Sequence, residues 1–153
     1  MTKRRPSNPG LSLIEMLTVM TLVGILTLLM APRIDLSFTQ ANVRSAQGAI
    51  ITKYQRTKSV AVQGNRIATL NLAGNLAWIT ASPRLTPHAG SAVDTVEAVT
   101  DFGALYGVTL TATPTGTLGV DPRGIGTSGA TITFARAGLT DSVIISTFGR
   151  ITK

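Results

Sequence analysis

The hydrophobic pattern of this chain changes period twice. From Leu11 to Met30 nearly every residue is apolar, and Glu15 is the only charge. A helix of about twenty residues, rising about 1.5 Å per residue, spans roughly 30 Å, the hydrocarbon thickness of a bilayer. Beyond Pro32 the apolar positions thin out to a helical spacing: Ile34, Phe38, Ala41, Ser45 and Ala49, with Ile50, Tyr54 and Ala61 on a related face. Arg44, Lys53, Arg56 and Lys58 fall mostly off that stripe. One continuing amphipathic helix is therefore expected over about Arg33–Val62, its apolar side packed as core, with Gly64-Asn65 as the stop.

After Gly64 the period becomes two. Strands are predicted at Arg66–Leu72 and Asn75–Ala81 around an Ala73-Gly74-Asn75 turn, at Val108–Thr113, and at Leu118–Val120. Ala130–Ala135 and Ser142–Thr147 read as a closing hairpin around Ala137-Gly138-Leu139. Between them, Pro83, Pro87 and Gly90 mark a loop, and Val93, Val96, Val99 and Phe102 have the spacing of a short helix. The expected fold class is α+β: a long N-terminal helix packed on antiparallel sheet.

Within the apolar helix, Pro32 removes a backbone hydrogen bond and clashes with the carbonyl near Leu28. With Gly24 it predicts a kink or local unwinding; alternatively Pro32 marks the membrane exit. Glu15 is the more pointed feature. An ionised carboxylate one turn inside an apolar segment costs at least about 2.5 kcal/mol, so it needs a partner. Cutting the chain after Gly10 supplies one, because the new α-amine on Leu11 is a cation able to pair with Glu15 of the same or a neighbouring chain.

Gly10-Leu11-Ser12-Leu13-Ile14-Glu15, preceded by Lys3, Arg4 and Arg5, resembles the cleavage site of type IV prepilins and pseudopilins. The resemblance implies that a membrane-embedded prepilin peptidase cuts between Gly10 and Leu11 and methylates the new N-terminus. It also implies that Glu15 guides assembly with other pilin or pseudopilin subunits. Leu11 stands where the family usually has phenylalanine. The implied organisation is a leader at 1–10, a transmembrane and filament-core helix at 11–31, its amphipathic continuation at 32–63 and an extracytoplasmic β-rich domain at 64–153.

Composition modifies this picture only slightly. The chain has 153 residues and no cysteine, which excludes disulfides and thiolate metal sites. The net charge of +7 belongs largely to the leader: without Lys3, Arg4 and Arg5 the 14 basic residues become 11 against 7 acidic ones, or +4. The basic head should stay in the cytoplasm, placing the C-terminal domain outside the inner membrane. The mean hydropathy of +0.30 comes largely from the N-terminal run and does not mark a multi-span protein.

Catalytic chemistry finds no constellation. His88, the single histidine, lies in a Pro/Gly loop. Asp94, Glu97 and Asp101 have the spacing to line one side of a helix, where a solvated face is expected and a calcium site is the functional alternative. Gly124-Ile125-Gly126 lacks the strand–loop–helix context of a phosphate loop and reads as a turn. The chain is expected to be no enzyme, with no metal and no cofactor.

Beyond the apolar run, the chain is similar to the minor pseudopilin H family of type II secretion, the GspH/FimT group, in three places. These are Lys58-Ser59-Val60-Ala61-Val62-Gln63-Gly64-Asn65, Asp121-Pro122-Arg123-Gly124 followed by Thr131-Ile132-Thr133-Phe134, and Phe148-Gly149-Arg150-Ile151. Val120 departs from a more usual phenylalanine. The implied function is a subunit of a type II secretion pseudopilus that contacts secreted cargo. The alternative is a minor type IV pilin that binds DNA for uptake, since Arg123, Arg136, Arg150 and Lys153 all lie in the last strands and tail as candidate phosphate contacts.

Overall fold

The computed structural model describes residues 12–83, 93–114 and 116–153, the side chains of residues 29–34 excepted. The element order is α1 (Leu13–Gly64), β1 (Ala68–Ala73), β2 (Leu76–Ala81), β3 (Asp94–Asp101), α2 (Phe102–Tyr106), β4 (Thr109–Thr113), β5 (Thr117–Val120), β6 (Ala130–Arg136), β7 (Leu139–Ile145) and β8 (Ile151–Thr152). The chain divides into two compact units, Met1–Ser37 and Phe38–Lys153. α1 is helical throughout, Gly24 and Pro32 included.

In the second unit the strands form two antiparallel four-stranded sheets, ordered β3-β2-β1-β5 and β4-β6-β7-β8. Burial alternates along β1, β2 and β6, as expected for strands with one face on a core. The core joins Val43, Ile50 and Tyr54 of α1 to Leu70 and Ile79 of the first sheet and Ile132, Phe134 and Val143 of the second. Each such aliphatic or aromatic side chain contributes about 1.5–3 kcal/mol when fully buried.

The helix stop is as read from the sequence, and its geometry is specific. Asn65 takes a left-handed φ of 46°. The Arg66 N–H donates to the Ala61 carbonyl and the Asn65 N–H to the Val62 carbonyl, the paired bonds of a Schellman cap. The β6–β7 hairpin also forms as expected: Arg136 pairs with Leu139, and Ala137 and Gly138 both have positive φ, as a two-residue primed turn demands.

Two expectations are overturned. The buried face of α1 carries Val43, Ala46, Gln47, Ile50, Lys53, Tyr54, Thr57 and Ala61. Phe38, at 64 % exposed, lies outside the core together with Ala41 and Ser45, so the early part of the predicted stripe is rotated away from it. The side chain of Ile34 lies outside the described residues. Counting apolar residues misplaced the face because Gln47, Lys53 and Thr57 are polar positions that pack inward.

The second correction concerns the region after residue 93. Val96 and Val99 belong to a strand, not to a short helix; only Phe102 starts one, the five-residue α2. The β-branched run Thr95, Val96, Val99 and Thr100 suits extended backbone. Register shifts opposite Ala77–Thr80 break the strict period of two, which is why the valine spacing mimics a helix. The expected loop at Pro87 and Gly90 lies outside the described residues.

Candidate functional site

The first unit presents an apolar helix surface on all sides. Every described side chain from Ser12 to Leu28 is exposed, among them Leu13, Ile14, Met16, Leu17, Val19, Met20, Leu22, Val23, Ile25, Leu26 and Leu28. The only charge in that stretch is Glu15, in the first turn of α1, where the helix dipole favours a carboxylate. The polar side chains within it are largely self-satisfied: the hydroxyls of Thr18, Thr21 and Thr27 donate to the carbonyls of Ile14, Leu17 and Val23 at 2.7–2.8 Å. Such back-bonding lets a threonine sit in apolar surroundings without an orphaned donor. Among the described residues no helix is long and apolar enough to cross a membrane. The apolar run of the sequence, Leu11–Ala31, is longer than the part whose side chains are described.

Gly10 and Leu11, the predicted processing residues, lie outside the described residues. Gly24 sits in the helix with nothing within 4 Å of where its Cβ would be. An apolar surface this continuous is not a stable end state in water, since soluble monomers rarely expose contiguous patches beyond about 600 Å².

In the second unit, the acidic residues singled out in the sequence have separate structural duties. Asp94 Oδ2 accepts from the Arg66 guanidinium at 2.9 Å. Glu97 pairs with the buried Lys53 ammonium and with Arg56, whose Nε stands 3.3 Å from Oε2. Asp101 caps α2, its Oδ1 accepting from the Ala104 N–H at 3.0 Å. The expected solvated helix face does not exist, because these residues sit on a strand and two of them clamp it to α1 and to the start of the sheet. Among the described residues no three His, Cys, Asp or Glu side chains converge as a metal site would require. His88 lies outside them.

The four basic candidates are not one cluster. Arg136 lies at the hairpin end of β6, and its guanidinium donates to the Tyr106 carbonyl. Arg150 and Lys153 follow the opposite end of β7, and both are exposed. Arg123 is exposed on a turn held by Asp121, whose Oδ1 accepts from the Arg123 and Ile125 N–H groups. That turn lies against the one bearing Arg150: a Cβ at Gly126 would stand 2.7 Å from the Gly149 nitrogen. Arg123 and Arg150 are thus on neighbouring loops, and Arg136 is elsewhere.

Sequence reasoning missed the residues that hold those loops. Tyr54 is fully buried with its hydroxyl unpartnered among the described residues, and burial pushes its phenol above the ordinary value. The hydroxyl oxygen lies 2.9 and 2.8 Å from where Cβ atoms of Gly126 and Gly149 would be, so only glycine admits this approach. Gly149 also needs its left-handed φ of 80°. Lys58 Nζ donates to the Gly149 carbonyl at 2.6 Å and stands 5.2 Å from the Tyr54 ring centre. The available signal was the i, i+4 pair Tyr54/Lys58 on α1, together with glycines flanking two turns.

Neither a family model nor a curated protein matches the chain. Solved structures do. The chain is similar to the type IV minor pilin FimU of Pseudomonas aeruginosa strain PAO1 in two crystal forms. One has a TM-score of 0.56 at 18 % identity, covering 74 % of this chain and 88 % of that one. The other has a TM-score of 0.52 at 18 % identity, covering 71 % and 90 %. At this identity the likeness establishes the fold: α+β and type IV pilin-like, a long N-terminal helix with antiparallel sheets.

Proposed function

We propose that this chain is a non-enzymatic subunit of a pilin-like filament, made as a membrane-anchored precursor. The observation that carries the reading is the largely apolar surface of α1 from Leu13 to Leu28, whose single charge is Glu15, on a chain whose fold is pilin-like. Each of those side chains gains about 1.5–3 kcal/mol on full burial, in lipid before assembly or among neighbouring helices afterwards. Glu15 limits the ways it can be buried, because its carboxylate needs a cation at the same depth. The α-amine of Leu11, freed by a prepilin peptidase cut after Gly10 and then methylated, is that cation. The leader cations Lys3, Arg4 and Arg5 support an inner-membrane precursor with its C-terminal domain outside.

The test is the mass of the membrane-bound chain. The reading requires loss of residues 1–10 and one added methyl group on Leu11, and Gly10→Ala should leave a persistent full-length precursor. An intact N-terminus on the wild-type chain contradicts it.

For the machine, we favour the pseudopilus of a type II secretion system, with the β-rich domain contacting other minor subunits or cargo. An in-frame deletion should then lose exported enzymes while DNA uptake stays normal. A second reading, a minor pilin for DNA uptake, draws support from Arg123 and Arg150 standing on adjacent loops, although Arg136 is engaged elsewhere. It requires salt-dependent DNA binding that Arg150→Ala weakens, with secretion unchanged in the deletion strain.

A further inference from the structure

Three segments of the second unit meet where α1 ends, and each leaves an apolar side chain in solvent. A Cβ at Gly124 would stand 3.1 Å from a Val62 methyl, and one at Gly126 would stand 2.7 Å from the Gly149 nitrogen and the Thr147 carbonyl oxygen. The turn at 121–126 is thus seated against both the last turns of α1 and the loop at 146–150. Val62, Ile125 and Phe148, one from each segment, are 52 %, 44 % and 79 % exposed. Arg123 and Arg150 lie two residues from Ile125 and Phe148, exposed and without an ion-pair partner among the described residues.

Both loops are fixed. The Gly149 N–H donates to the Ser146 carbonyl at 2.8 Å, the Arg150 N–H to Ser146 Oγ at 3.0 Å, and Lys58 grips the Gly149 carbonyl. In the neighbouring turn the Asp121 N–H donates to the Ile125 carbonyl and the Gly124 N–H to the Asp121 carbonyl, each at 2.9 Å. The only carboxylate in either loop, that of Asp121, is taken up by the Arg123 and Ile125 N–H groups. The surface is therefore apolar and positively charged, on backbone that loses little freedom when something docks there.

We propose that this patch docks a different subunit of the same filament, whose facing surface carries carboxylates around an apolar pocket. Phe148 fills the pocket, and Arg123 and Arg150 meet the carboxylates. Aromatic residues and arginine are enriched in protein interfaces, whereas Val62 and Ile125 offer nothing to phosphate and Phe148 is a lone ring for stacking. A second copy of the chain is a poor complement: of its seven acidic residues, Asp94, Glu97, Asp101 and Asp121 are already engaged. Three apolar side chains and two cations also fall short of a free-standing interface, which buries about 1,200–2,000 Å². Such a patch holds a partner that something else has already brought alongside, where effective concentrations reach about millimolar. On the filament-subunit reading the apolar helices of the assembly do this for a neighbouring subunit, and nothing does it for soluble cargo. The proposal rests on that reading and adds which surface of the β-rich domain meets which chemistry.

The test places the photo-cross-linker p-benzoyl-phenylalanine at Phe148 of the full-length chain, in the cells that make it. It keeps an aromatic ring on the loop. Irradiation should link the chain to one other protein, identified by mass spectrometry as a second prepilin-type subunit, through a peptide that contains Asp or Glu. Arg150→Glu in that background should cut the yield about tenfold, the scale of one hot-spot residue. Arg150→Lys, which keeps the charge, should retain most of it, and reversing the partner's linked carboxylate to Lys should rescue Arg150→Glu. The sheared filament fraction is probed for the chain in parallel. Chain present in filaments without a cross-link overturns the docking contact alone; chain absent from filaments overturns it together with the reading beneath it. A cross-link to a second copy, to an exported protein or to nucleic acid overturns the choice of partner, and a yield that ignores Arg150→Glu overturns the charge pairing.

Discussion

Lys53 brings an ammonium into the domain because Glu97 meets it there, with Arg56 completing the cluster. Removing one partner of a fully buried pair costs about 3–5 kcal/mol, and Glu97 retains some water and a second cation, so about 1–2 kcal/mol is expected for Lys53→Met. Chemical denaturation of the full-length chain in detergent measures it, and Lys53→Met with Glu97→Leu should recover part of the loss. Tyr54 gives the opposite expectation. Its buried hydroxyl has no partner among the described residues, so Tyr54→Phe should be neutral or stabilising by up to about 1 kcal/mol. The sign with pH follows from the raised phenol: stability is unaffected at neutral pH and falls as pH rises through the ordinary tyrosine range, where the unfolded chain ionises first. Tyr54→Phe should remove that contribution to the alkaline loss. At Gly126 a side chain would collide with the Gly149 nitrogen, the Thr147 carbonyl and the Tyr54 hydroxyl, so Gly126→Val should cost about 1–3 kcal/mol and loosen the loop bearing Arg150.

At the scale of elements, what the sequence disclosed depends on how regular each element is. The helix stop at Gly64-Asn65, the β6–β7 hairpin and the strands around residues 68–81 and 109–113 were legible because cap, turn and period-two signals agree locally. β3 was not, since its register shifts erase the period on which strand reading relies. Nor was the buried face of α1, where Gln47, Lys53 and Thr57 pack inward and Phe38 does not. That correction is measurable. Ile50→Ala should cost about 2–4 kcal/mol as a cavity in the core, whereas Phe38→Ala should cost less than about 0.5 kcal/mol. Equal costs would return Phe38 to the core. The acidic trio was visible as residues but not as roles, because pairing with Arg66, Lys53 and Arg56 is set by tertiary contacts that no spacing encodes.

For the whole molecule, the division of labour runs along the chain. The second unit has a buried apolar core, while the described apolar residues of the first unit from Leu13 to Leu28 stay exposed around a single carboxylate. On the proposed reading, a membrane or an assembly completes this chain, and Glu15 selects the neighbour that does so. The direct test is the sheared filament fraction of cells carrying either the wild-type chain or Glu15→Ala, alongside the membrane fraction. The account predicts mature wild-type chain in filaments, and a Glu15→Ala chain that is processed normally yet at least tenfold depleted from filaments and retained in the membrane. Wild-type levels of Glu15→Ala in filaments would contradict it.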